Sequence, residues 1–208
     1  MENTRAKTTR NSLILLLTAT IWGMAFVSQS KGMDYMHPFT FNGVRSLIGA
    51  AGILVYILIS RKIAGDKAAK LDWKLNVRAG LLCGIFLTIA STLQQFGIKY
   101  TSVGKAGFIT TLYIIFVPMF GIFLKKKVAP VVWAAAGMAA VGMYLLCMTE
   151  SLRLGAGDIM VFLCAIAFAI QIMTVDHYAA RIDGAVVSCI QFTVCGVVCC
   201  IGALIWGQ

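Results

Sequence analysis

Seven apolar runs, each about as long as a lipid hydrocarbon core is thick, constrain this chain more than any other feature. They lie at about 12–31, 39–60, 77–98, 103–124, 129–149, 156–176 and 186–206. A helix needs about 20 apolar residues to cross a bilayer. Only helices and closed barrels satisfy their backbone hydrogen bonds there. The runs are too long for barrel strands, so the chain reads as an all-α membrane protein, a polytopic helix bundle with about seven transmembrane helices. Composition agrees: 60% of the 208 residues are hydrophobic and 12% are charged. About a quarter of a soluble domain is charged.

The net charge of +10 would raise the question of nucleic acid in a soluble protein. Here the charges fall in short clusters between apolar runs. They read as topology signals and as contacts with anionic headgroups of the lipid bilayer. No nucleic-acid-binding module is visible.

The basic residues alternate in number along the chain. Arg5, Lys7 and Arg10 precede the first run, and Lys31 follows it. Arg61, Lys62, Lys67, Lys70, Lys74 and Arg78 lie in or beside the gap between the second and third runs, and Lys99 and Lys105 in or beside that between the third and fourth. Lys125, Lys126 and Lys127 come next, then Arg153, then Arg181. Leaving out Arg45 within a span, one side collects thirteen and the other four. The richer side is expected in the cytoplasm. Residues 1–11 are therefore read as a cytoplasmic N-terminal segment. The first run is read as a span rather than a cleaved signal, because Trp22-Gly23 near its middle does not resemble a cleavage site.

Polar groups inside the spans are the candidates for function, because lipid makes them costly. A central Arg costs about 2.5–3.5 kcal/mol on insertion scales. Arg45 either snorkels to the interface as a structural group or lines an aqueous cavity that attracts anions. Gly84, Thr88, Ser91 and Gln95, with Thr92 and Gln94 beside them, form one small and polar face on the third run. That face is either helix-packing glue or a cavity lining. In the fourth run Thr110, Thr111 and Tyr113 lie deeper than Lys105, and Pro118 frees a carbonyl and kinks the helix, a gating candidate. Trp22 sits mid-span, outside any interfacial belt, as either a packing or a cavity aromatic. Ser46 with Ala50, and Ala136 with Ala140, permit close helix approach.

Enzyme signals are absent: there is no HExxH, GxSxG, P-loop or CxxC, so no catalytic residue is named. No cofactor is expected. The seven cysteines lie in or beside apolar runs and read as small packing residues, with no metal site expected. Asp158, Asp176 and Asp183 sit at span ends, and His37 and His177 in loops.

An offset of 146 residues lays Trp22-Gly23 on Phe168-Ala169, Pro38 on Gly184 and Arg45 on Gln191. A five-helix repeat follows. Five is odd, so two units would be inverted in the membrane, as in many transporters.

The opening TIWGMAFVSQSKGMDYMHPFTFNGVRSLIGA and the central LQQFGIKYTSVGKAGFITTLYIIFVPMFGIFL resemble EamA-like members of the drug/metabolite transporter superfamily. GMAAVGMYLLCM resembles the fifth helix that closes a repeat, and GDIMVFLCAIAFAIQIMTVDHYA the start of the second. The resemblance implies residues 12–149 as a first repeat and 150–208 as an incomplete second one, lacking three helices. It implies a multi-pass bacterial inner-membrane transporter, exporting small organic metabolites or drugs by alternating access. It places Trp22, Arg45, Gln94, Gln95, Tyr113 and Gln191 along the pathway of a small-molecule substrate. Lys125-Lys126-Lys127 stands where many members carry an acidic then a basic residue, so no role is assigned to such an acid. A seven-helix receptor or signalling protein, and a non-transporting fragment that assembles with a partner, are the other readings. Homo-oligomerisation is left open.

Overall fold

A computed structural model of the protein describes residues 2–65, 71–124, 129–147 and 155–206. Every regular element among them is helical: α1 (Glu2–Gly32), α2 (Pro38–Ala64), α3 (Trp73–Tyr100), α4 (Val103–Thr111), α5 (Tyr113–Phe123), α6 (Pro130–Cys147), α7 (Ala156–Tyr178) and α8 (Gly184–Trp206), with a 3-10 turn at Ala179–Arg181. Lys67, Lys70, Lys125, Lys126, Lys127 and Arg153, and the expected repeat boundary at 149/150, lie outside the described residues.

Helix ends follow their caps. Asp72 accepts from the Leu75 amide at 3.1 Å, so α3 starts at Trp73, four residues before its apolar run. His37 Nδ1 accepts from the Phe39 amide, with Pro38 in the first turn of α2. There Pro lacks only a donor that would have had no helical partner. His37 is thus a cap rather than a loop residue, and His177 falls in the last turn of α7. Helix α1 begins at Glu2, ten residues before its apolar run.

Six spans among the described residues are long and apolar enough to cross a membrane, α4 and α5 together forming one of them. Helix α6 supplies the seventh crossing that the sequence led us to expect. Its 18 residues reach about 27 Å at 1.5 Å per residue. The directions of its neighbours require it. Gly97 and Tyr100, late in α3, meet Gly157 and Val161, early in α7, so α3 and α7 are antiparallel. Lys105 meets Asp158 and Phe116 meets Phe162, so α4–α5 starts at the same end as α7. The chain must therefore cross once between Leu124 and Gly155.

The fourth span breaks at Leu112, six residues before Pro118. The Leu112 amide turns back to Ile109 O at 3.2 Å, a tightened turn. Pro118 itself lies buried inside α5, so the discontinuity expected at Pro118 is displaced toward the first half of the span.

Helix α3 is the axis. One side packs antiparallel to α7; another packs parallel to α8, with Gly80 against Ile190 and Gly84 against Val194. Helix α8 in turn packs antiparallel to α2 through Gly43 against Cys200 and Gly196 against Leu47. The bundle is small and polar inside and bulky outside. Ala79, Cys83, Ala90, Ala106, Cys164 and Ala165 are fully buried, while Leu13, Leu15, Ile48 and Leu204 are more than half exposed. That distribution suits lipid, where helices associate by close packing and hydrogen bonding rather than by hiding apolar surface. On α1, Thr18 and Thr20 donate to Ile14 O and Leu16 O at 2.8 and 2.9 Å, which satisfies both hydroxyls without water.

The closest backbone-to-backbone approach joins α3 and α7. A Cβ on Gly157 would lie 2.8 Å from Gly97 O and 2.8 Å from Tyr100 C, and backbone cannot rotate away. Overpacking typically costs about 1–3 kcal/mol. Gly157→Val is therefore expected to lower the apparent Tm in detergent by several degrees. Gly52→Ala, whose Cβ meets open space, is expected to leave it within about a degree; a thermal-aggregation assay on the two purified variants checks both.

Candidate functional site

Polar side chains along α3 form a buried seam. Gln95 is wholly enclosed. Its Nε2 donates to Gln29 O of α1 at 3.3 Å. Neither Gln95 Oε1 nor Gln29 Oε1 has a hydrogen-bond partner, although both side chains are at least nine-tenths buried. A buried acceptor without a donor costs roughly 1–3 kcal/mol. Beside them Gln94 Nε2 donates to Thr110 Oγ1 of α4 at 3.3 Å. Helices α1, α3 and α4 thus converge on two adjacent amides. The two unpaired oxygens are suited to accept N–H or O–H donors.

A second network links α2, α3 and α8. Asn42 Nδ2 donates to Ser91 O at 2.9 Å, and Arg45 Nη2 donates to Asn42 Oδ1 at 3.1 Å. The Arg45 guanidinium also lies 5.6 Å from the Phe41 ring centre, a cation–π distance. Cys195 Sγ lies 3.4 Å from Ser46 Oγ and from Ser91 Oγ. Arg45 is itself exposed on the bundle's surface, and its bond to Asn42 ties it to the α2–α3 contact. A third contact pairs Gln171 Nε2 with Gln191 Oε1 at 3.0 Å, between α7 and α8.

The candidates from the sequence therefore separate. Gln94 and Gln95 share one seam. Arg45 and Gln191, aligned by the 146-residue offset, belong to different networks. Trp22 is 57% exposed on α1, on the outer surface of the bundle. Tyr113 is half-buried at the start of α5, just past the break at Leu112. Pro118 is buried in α5.

The structure adds residues that were not singled out. Gln29 is one turn from the end of α1 and reads as interfacial from hydropathy alone. Asn42 stands three positions before Arg45, a spacing that puts both on one helix face. Asp158 lies at a span end in the sequence, yet its side chain is 3% exposed. It accepts from Lys105 Nζ at 3.0 Å, from the Gly155 amide at 2.9 Å and from the Thr101 hydroxyl. Removing one partner of a buried ion pair typically costs about 3–5 kcal/mol.

Asn42→Leu strands the Arg45 guanidinium and removes the donor to Ser91 O. It is expected to destabilise the bundle by about 1–2 kcal/mol, read as a lower midpoint in denaturation by sodium dodecyl sulfate. Arg45→Leu should cost less, because Asn42 then keeps its bond to Ser91 O.

The chain matches the EamA-like transporter family over residues 10–148. It is 30% identical over 171 residues to a protein of Archaeoglobus fulgidus called an uncharacterized transporter, which covers 79% of this chain and 48% of the relative. The chain thus spans about half the length of that curated relative. No solved structure matches it. On the extent of the family match, the chain is a member of the EamA-like transporter family.

Proposed function

We propose that this chain forms the first repeat and the opening of an inverted second repeat of a solute transporter in the bacterial inner membrane. It lies with its N-terminus in the cytoplasm and moves small organic metabolites or drugs outward by alternating access. The observation that carries this reading is the seam of Gln94, Gln95 and Gln29 in a member of a transporter family. Membrane-buried amides with unpaired oxygens are costly as packing alone. They are useful where a polar solute must be held and released.

Several features support the arrangement. Helices α2 and α8 are antiparallel, as second helices of inverted repeats must be. Gln94, Gln95 and Thr110 would contact the solute. Arg45 and Gln191 would support the surrounding helices, and the break at Leu112, together with Pro118, would let the two halves of the fourth span tilt separately. Trp22 would meet lipid or a further helix rather than solute.

Two experiments test this. Proteoliposomes containing the full-length protein should show flux of at least one class among amino acids, other small metabolites and organic cations. Gln95→Leu is expected to lower that flux about tenfold or more, the loss of one or two hydrogen bonds to solute, at unchanged expression. Unchanged flux would assign Gln95 to helix packing. A reporter domain that is active only in the cytoplasm should be active at the N-terminus and inactive between α1 and α2. The reverse pattern would overturn the orientation.

A further inference from the structure

We propose that Lys105 and Asp158 form a latch that closes the bundle at the end where α3 stops and α4 and α7 begin. When it opens, the interior between α3, α4 and α7 is exposed to water on that side. This rests on the alternating-access reading above, but not on the identity of the solute.

Three observations carry it. The pair joins distant segments: Lys105 is in the first turn of α4 and Asp158 in the first turn of α7. Thr101, which follows α3, and the Gly155 amide, which precedes α7, donate to the same carboxylate. One side chain therefore ties three helix ends, and these belong to both proposed repeats. Second, the pair is enclosed, with Asp158 3% and Lys105 18% exposed. An apolar contact would hold these helix ends at least as firmly. An ion pair differs in that water stabilises its separated charges once the helices part, which suits a two-state contact. Third, the opposite end of the bundle is held differently. Arg61 reaches Asp183 at 3.8 Å with both side chains about two-fifths exposed, and exposed pairs contribute little. The ion pairs at the two ends are thus unequal, and the enclosed one is at Asp158.

The space behind the latch contains a native reporter. Cys164 lies six residues along α7 from Asp158, about 9 Å deeper. It is fully buried and meets Thr110, the partner of Gln94. A water-borne reagent on this side would reach it only when this end opens.

The test uses the full chain with Cys164 as its single cysteine, in sealed vesicles, with a membrane-impermeant maleimide added on the side that carries Asp158. With the latch intact, labelling should be slow. Lys105→Gln should raise the rate about tenfold or more, and Lys105→Arg, which keeps the charge, should leave it slow. A second chain, with Cys195 as its single cysteine, reports general loosening, because Cys195 is buried between α2, α3 and α8. Its rate should not change. An unchanged Cys164 rate in Lys105→Gln, a parallel rise at Cys195, or fast labelling in Lys105→Arg would each overturn the latch. Flux in proteoliposomes is read separately. Absent flux with the labelling pattern intact would remove the transport reading and leave the latch standing.

Discussion

The rest of the bundle depends on the contact between Gly97 and Gly157. Two helices there touch backbone to backbone, and no side chain larger than hydrogen fits at either position. Lipid does not drive apolar helices together, since a leucine is as well solvated by acyl chains as by another helix. Cohesion must come from dispersion at short range and from hydrogen bonds. Both grow as the axes approach. The Gly97–Gly157 contact brings the end of α3 against the start of α7. The glycines at 80 and 84 do the same for α8 farther down the same helix. With α3 enclosed on these sides, its polar face is shut away from lipid, and Gln94 and Gln95 can exist within a membrane span.

This also explains what the sequence could and could not reveal. Bilayer thickness imposes a length on every span, so the seven runs were readable from hydropathy, including the 18-residue α6. Gln95 was readable because an amide inside an apolar run stands out. Its partner Gln29 was not, because a polar residue near a span end looks the same whether it faces water or another helix. Asp158 was missed for a related reason. Hydropathy places it at the membrane surface, but Thr101, in the turn after α3, and Lys105, in the first turn of α4, fold over it. Trp22 is a different case. Its mid-span position was legible, but which side of α1 is covered depends on how few helices pack there, and no period in the sequence encodes that. The break in the fourth span falls at Leu112, more than a turn before Pro118, and the turn between them is helical, so the proline's missing donor and ring do not account for it.

The 146-residue offset gains meaning from the caps. His37 and Asp183 are that far apart, and each precedes a helix. His37 Nδ1 accepts from the Phe39 amide; Asp183 Oδ1 accepts from the Ala185 amide at 3.0 Å. Positions 39 and 185 differ by the same 146. Chemically different residues thus perform the same local task at matching positions, which identity-based comparison of the two halves would overlook. The helices so capped, α2 and α8, run antiparallel against each other. These relations extend the alignment of Trp22-Gly23 on Phe168-Ala169 to the starts of two helices.

Asp183 also shows why the two ends of the bundle are not equivalent. Its carboxylate caps α8, and its backbone amide donates to Asn76 at 2.8 Å. Those bonds fasten the start of α8 to α3 whether or not Arg61 is engaged. Asp158 combines the same tasks differently. It bonds the Gly155 amide ahead of its own helix, but its other acceptor sites go to Lys105 and Thr101. Separating α7 from α4 at that end therefore breaks an ion pair, whereas at the other end the short bonds join α3 and α8, which run parallel and would move together. A rocking motion that keeps α3 with α8 and swings α4 away from α7 leaves the Asp183 bonds intact. It concentrates its electrostatic cost on one carboxylate.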